Sequence, residues 1–172
     1  MWQMYLWDYE MREVRPLVDA LSPRQSFALA VRAIRHLLTF DQDLLADTNP
    51  AIADFARRSL DLADEAVAAG RDTIGEPDGY ADEADELLRD YSEDSATSPE
   101  DGADAVIMAL LNLYGEAEMA PSHAYETLSS AYEAVLIRQR IWVVTPETER
   151  ENTTLVQLIA QQKDLVRAAG TP

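Results

Sequence analysis

Apolar residues recur every three to four positions along almost the whole chain. That is the spacing of amphipathic helices, not the alternation of half-buried strands. The pattern predicts about seven helices and no convincing strand. The first covers roughly residues 3 to 20, with Trp7, Met11, Val14, Val18 and Leu21 on one stripe. Pro16 should end or kink it, because proline lacks an N–H and its ring clashes with the preceding turn. The second opens on a sharp signal. Ser22 can cap, Pro23 suits the first helical position, and Gln25 stands where a capping box wants it. Phe27, Ala30, Val31, Ile34, Leu37 and Leu38 then make its inward face.

The third helix is predicted from about Pro50 to Ala69, capped by Asn49 and closed by Gly70, with Ile52, Phe55, Ala56, Leu62, Ala63 and Ala66 facing inward. Arg71 to Gly79 reads as a loop, and Tyr80 to Tyr91 as a short fourth helix with Tyr80, Ala84, Leu87, Leu88 and Tyr91 on one face. Ser92 to Gly102 is the longest polar stretch. Ser98-Pro99-Glu100 then restarts a fifth helix through Ala103, Val106, Ile107, Leu110, Leu113 and Tyr114, ended by Gly115 or by Ala120-Pro121. The sixth runs from Pro121 to about Ile141. Ile141-Trp142-Val143-Val144 leans towards β but has no partner strand, and reads as a buried connector. Thr145-Pro146-Glu147 opens the seventh, where Leu155, Leu158, Ile159, Leu165 and Val166 form a stripe interrupted by Gln162 and ended at Ala169-Gly170. No repeat of solenoid length is present. The expected fold is all-α: a single domain over residues 1–172, a bundle of about seven helices joined by short loops.

Composition narrows what such a bundle can do. The 172 residues hold 32 acids against 14 bases, a net charge of −18, with 2 His and no Cys. The absence of Cys removes disulfides, thiolate chemistry and iron–sulfur ligation. The charge is localised: residues 41–104 hold 20 acids and 4 Arg, leaving the remaining 108 residues close to neutral. Such a field repels phosphate, so neither nucleic acid nor an anionic membrane is an expected partner. No run approaches the roughly 20 apolar residues of a membrane span. The first ten residues show neither a basic n-region nor an uninterrupted apolar stretch, which reads as cytoplasmic. Lys163 is the only Lys, a bias that suggests a GC-rich bacterial source.

The search for chemistry leaves carboxylates and aromatics. Neither His36 nor His123 has a second His at metal-ligand spacing, the 6 Gly form no phosphate-cradling loop, and no nucleophile motif is present, so no cofactor is implied. The acids Asp78, Asp82, Glu83, Asp85, Glu86, Asp90, Glu93 and Asp94 crowd the fourth helix and its flanks as a solvated, partner-binding slab. Glu83 and Glu86 also look like the first half of the Glu-x-x-Glu magnesium motif of all-helical nucleotide pyrophosphatases. The second half departs from it: Asp101 replaces a Glu before Asp104, and Glu100 to Asp104 is one residue too long. No calcium-loop spacing is met, so no metal site is assigned. Trp2, Tyr5, Trp7 and Tyr9 are 4 of the 13 aromatics, a density that suits a partner or homodimer interface. Gln162 needs a hydrogen-bond partner and reads as a structural tie to a loop backbone.

Leu21-Ser22-Pro23-Arg24-Gln25-Ser26-Phe27-Ala28-Leu29-Ala30, with Arg35-His36-Leu37-Leu38 after it, resembles the start of the YjaG-type bacterial family. The helix from Asp104 to Leu113 resembles that family's middle helix, and the glutamates Glu147, Glu149 and Glu151 before Leu155–Gly170 resemble its end. The resemblance implies an all-helical fold and carries no catalytic residues. The chain also has the general look of immunity proteins of bacterial toxin systems. The expected function is a non-catalytic, acidic protein-binding domain of immunity or antitoxin type, which neutralises a basic toxin or nuclease domain. The alternatives are a magnesium-dependent nucleotide hydrolase built on Glu83, Glu86, Asp101 and Asp104, and a homodimer formed through the aromatic N-terminal helix.

Overall fold

The computed structural model describes residues 4–46, 50–93 and 102–171. Among them the chain is all-α: α1 Leu6–Glu10, a 3₁₀ turn Met11–Glu13, α2 Arg15–Asp19, α3 Pro23–Phe40, α4 Pro50–Ala68, α5 Tyr80–Glu93, α6 Ala103–Leu111, α7 Pro121–Arg138, α8 Pro146–Glu151 and α9 Thr153–Ala169. One isolated antiparallel bridge joins Gly75 to Gly115.

The predicted stops and starts hold where the signal is local. The Ser22 capping box opens α3 as read: Ser22 accepts from Gln25 N–H at 3.2 Å, and Gln25 accepts from Ser22 N–H at 2.9 Å. Where a helix end depends on distant groups, the boundaries move. The predicted first helix is three short pieces that break at Val14, and Pro16 sits near the start of α2, where its missing N–H costs nothing. The stripe Trp7, Met11, Val14, Val18 and Leu21 is nonetheless buried throughout. The predicted seventh helix is two. Asn152 takes an extended conformation (ψ 107°) and accepts from Leu155 N–H at 3.1 Å, ending α8 and capping α9.

α6 stops at Leu111, short of Gly115. The Leu113 carbonyl accepts from Ile74 N–H (2.9 Å) and Gly115 N–H donates to Gly75 (3.0 Å), so the chain pairs with the preceding loop instead of continuing to coil. At its other end α6 begins at Ala103. Gly102 precedes it at φ 78°, where a Cβ would lie 2.5 Å from the Ala134 carbonyl oxygen, so only glycine allows this approach. The Ser98-Pro99-Glu100 start and the Asn49 cap lie outside the described residues.

α7 is the axis of the bundle. It packs most extensively on α3 and α6, and also touches α2 and α9. Small residues allow close approach on several sides at once: Ala124, Ala131 and Ala134 are buried with Leu128, Tyr132 and Val135. Between α1, α7, α8 and α9 lies a buried polar set. Glu149 Oε2 accepts from Leu6 N–H at 3.0 Å, Glu149 Oε1 accepts from the Tyr132 hydroxyl, and Asp8 accepts from Tyr5 N–H at 2.8 Å. Glu149 of α8 thus satisfies an orphan N–H at the start of α1, across 143 residues of sequence. Gln162 is a structural tie as expected, but to helices and not to a loop. Its Oε1 accepts from Trp7 Nε1–H at 2.6 Å, and its Nε2 donates to the Leu128 carbonyl at 3.0 Å.

Candidate functional site

The acidic face is built on Tyr80, the first residue of α5. Tyr80 is buried, its ring packs against Phe55 and stacks on Tyr114, and its hydroxyl lies 3.0 Å from both Ser59 Oγ and the Leu110 carbonyl. Burial pushes this phenol up to about 12. Ala84, one turn on, is fully buried, and Leu87 and Leu88 pack against the core. With this side fixed inward, helical spacing sends the acids outward. Asp78, Asp82, Asp85, Glu86 and Asp90 are all exposed.

The acids of the 41–104 segment divide into two sets. Those of α4 are largely neutralised within the fold: Asp54 by Arg57 and Arg58, Asp61 by Arg57, and Asp64 by Arg35 of α3. Asp41 is paired with Arg138 of α7 at 2.6 Å. On α5 Glu83 has such a partner: both its oxygens accept from Arg58, which ties α5 to α4. Among the described residues no cation pairs with Asp78, Asp82, Asp85, Glu86 or Asp90. Glu93 is the last residue of α5, and Asp94 lies outside the described residues.

Glu76 and Glu116, which the pattern did not single out, extend this surface across the Gly75–Gly115 bridge. Desolvation, then the charge and hydrogen bond of Glu116, raise the Glu76 carboxyl. Desolvation, then Glu76, Asp82 and Glu116, raise the Tyr114 phenol. The like charges are therefore close enough to oppose one another's ionisation. Nothing in their sequence spacing could reveal this, because 40 residues separate the two glutamates and only the bridge brings them together.

Three of the four carboxylates read as a magnesium motif, Glu83, Glu86 and Asp104, lie among the described residues. Glu83 is occupied by Arg58, Asp104 acts on Glu133 of α7, and Asp101 lies outside the described residues. Among the described residues no three His, Asp or Glu side chains are placed to hold one metal ion. His36 lies 2.6 Å from the Gln161 amide oxygen beside the Phe40 ring, and His123 is exposed.

The aromatic N-terminus needs a correction. Trp7 is 2% exposed, held by Gln162 and packed against Tyr125 and Tyr132, so it is a core residue and offers nothing to a partner. Tyr5 is half-buried, Tyr9 is 46% exposed with the Arg12 guanidinium over its ring, and Trp2 lies outside the described residues. Among the described residues the exposed tryptophan is elsewhere. The stretch read as a buried connector is so only at its ends: Ile141 and Val144 pack against the core, while Trp142 is 98% exposed and Val143 57%. α7 ends at Arg138, and Arg140 follows at φ 50°, the left-handed position that glycine usually takes after a helix. That turn swings the chain off the bundle. Trp142 also borders a cavity of about 470 Å³ lined by Tyr5, Leu136, Ile137 and Val144.

No protein-family model matches this chain, and no curated protein or solved structure shows significant similarity to it. Among the described residues no helix is long and apolar enough to cross a membrane.

Proposed function

We propose that this chain is a non-catalytic protein-binding domain of immunity or antitoxin type, acting in the bacterial cytoplasm on a basic toxin or nuclease domain. One observation carries the reading. Asp78, just before α5, and Asp82, Asp85, Glu86 and Asp90 on it are exposed carboxylates with no cation partner among the described residues, whereas most of the neighbouring α4 acids are paired. A surface that holds phosphate must be basic, and a surface with unpaired acids can cover it. Charge complementarity of this kind raises association rate and excludes like-charged partners more than it adds affinity. The general look of an immunity protein agrees with this reading, and the YjaG-type resemblance of the Leu21–Ala30 segment, to a family of unknown function, bears on the helical fold alone.

The test is capture from a bacterial lysate, followed by association kinetics with whatever basic protein is recovered. Asp82→Asn, Asp85→Asn, Glu86→Gln and Asp90→Asn combined should slow association at low salt, and the slowing should fade as salt screens the charges. Recovery of no basic protein, or binding unchanged by the four substitutions, removes the proposal.

A further inference from the structure

Among the described residues Arg15, Arg35, Arg57, Arg58, Arg138, Lys163 and Arg167 are paired with carboxylates. Three cations outside these pairs share one cavity. Arg24 and Arg32 of α3 and Arg71, just past α4, line a cavity of about 250 Å³ between α3, the end of α4 and the end of α9. Among the described residues none of the three has a carboxylate partner. We propose that this cavity binds a small organic oxyanion, a carboxylate or phosphate monoester on a short apolar body.

The placement follows from the backbone. Arg24, Ala28 and Arg32 stand at i, i+4 and i+8 on α3, so two guanidinia flank a position whose small side chain leaves room between them. Arg71 is brought to the same cavity by the turn that ends α4. Its N–H donates to the Ala66 carbonyl at 2.8 Å, and Gly70 adopts φ 71° to permit it.

Gly70 also sets Arg24. Its carbonyl accepts from Arg24 Nη2 at 2.9 Å, and a Cβ at this position would lie 2.3 Å from that same nitrogen. This helix-end carbonyl accounts for one N–H of Arg24 and leaves the rest of the fork available, held in place in advance of any ligand. Most of the remaining wall is apolar, with Phe27, Val67 and Ala169 beside Ala28, and Gln25 and Thr171 add polar groups. That combination suits an amphiphilic anion better than a bare ion. The net charge of −18 opposes an anion from afar. That field decays over roughly 8 Å at physiological salt, and at contact the three guanidinia dominate.

The experiment is an amide chemical-shift titration of the full chain with benzoate, phenyl phosphate and uncharged benzyl alcohol. At least one anion should give saturable shifts centred on Ala28, Val67 and Thr171. Which anion does so identifies the acid group. Benzyl alcohol, the Arg24→Gln/Arg32→Gln double variant and Gly70→Ala should each weaken binding by about tenfold or more, the equivalent of losing one charge-assisted contact. Arg24 and Arg32 are exposed, so the double variant should keep its far-ultraviolet circular dichroism. Equal binding of benzyl alcohol, shifts centred elsewhere, no saturation by either anion, or undiminished binding by the double variant would overturn the proposal.

Discussion

Replacing Gln162 by leucine tests the tie that joins the two ends of the chain. The change keeps roughly the same volume on the apolar stripe of α9 and removes two hydrogen bonds. Trp7 Nε1–H loses its acceptor at 2.6 Å, and the Leu128 carbonyl loses a donor at 3.0 Å. The carbonyl belongs to a helical residue, so the larger loss falls on the indole N–H of Trp7, a residue only 2% exposed. A buried donor left without an acceptor costs about 1–3 kcal/mol. At roughly 2–4 °C per kcal/mol for a domain of this size, the melting temperature should fall by about 2–12 °C.

The structure also says where that cost resides. Trp7→Phe removes the same N–H, at the separate expense of a cavity beside Tyr125 and Tyr132. In a Trp7→Phe background, Gln162→Leu should therefore be nearly neutral, and the double-mutant cycle should return an interaction of about 1–3 kcal/mol. Urea unfolding followed by far-ultraviolet circular dichroism measures all four proteins. Equal destabilisation by Gln162→Leu in both backgrounds would show that the indole bond is not what the glutamine supplies.

Three further outcomes follow from the same geometry. Desolvation, then Asp104 and Asp8, raise the Glu133 carboxyl above its usual 4.5, so the folded state holds a proton that the unfolded state releases more readily. Its ionised form opposes folding at neutral pH, and this opposition fades as pH falls through the raised value. Glu133→Gln should accordingly raise the melting temperature at pH 7, with the gain gone near pH 4.5 by calorimetry. Asn152→Ala should cost about 1 kcal/mol through loss of the α9 cap, read as a lower urea midpoint with an unchanged slope. Trp142→Ala should leave the melting temperature within about 1 °C, since the side chain is 98% exposed, and should weaken capture of a protein partner. Strong destabilisation would mean that the residue packs on the bundle after all.

The acidic slab shows how far residue order reaches towards a site. The outward direction of Asp82, Asp85, Glu86 and Asp90 was legible, because Tyr80, Ala84, Leu87 and Leu88 mark the opposite side of one helix. Which of the segment's acids remain without cations was not. That depends on Arg35 reaching Asp64, Arg58 reaching Glu83 and Arg138 reaching Asp41, pairs from 25 to 97 residues apart. The same limit hid the cavity of Arg24, Arg32 and Arg71, whose members stand on two elements.

By itself the sequence determined the helical class, the start of α3, the inward stripe of nearly every helix and the location of the charge. These are properties of neighbours: a cap reaches three residues, a helical face repeats every three or four, and a count needs no geometry. Tertiary structure decided between the core and the interface reading of Trp7, why α6 stops at Leu111, and why Glu149 lies buried where a Glu-rich helix start would be expected in water. Each is settled by a group far away in sequence: Gln162 for Trp7, Ile74 and Gly75 for the end of α6, and Leu6 N–H and Tyr132 for Glu149. A buried polar group or an unfinished helix end must find its partner somewhere, and only packing determines which one is within reach.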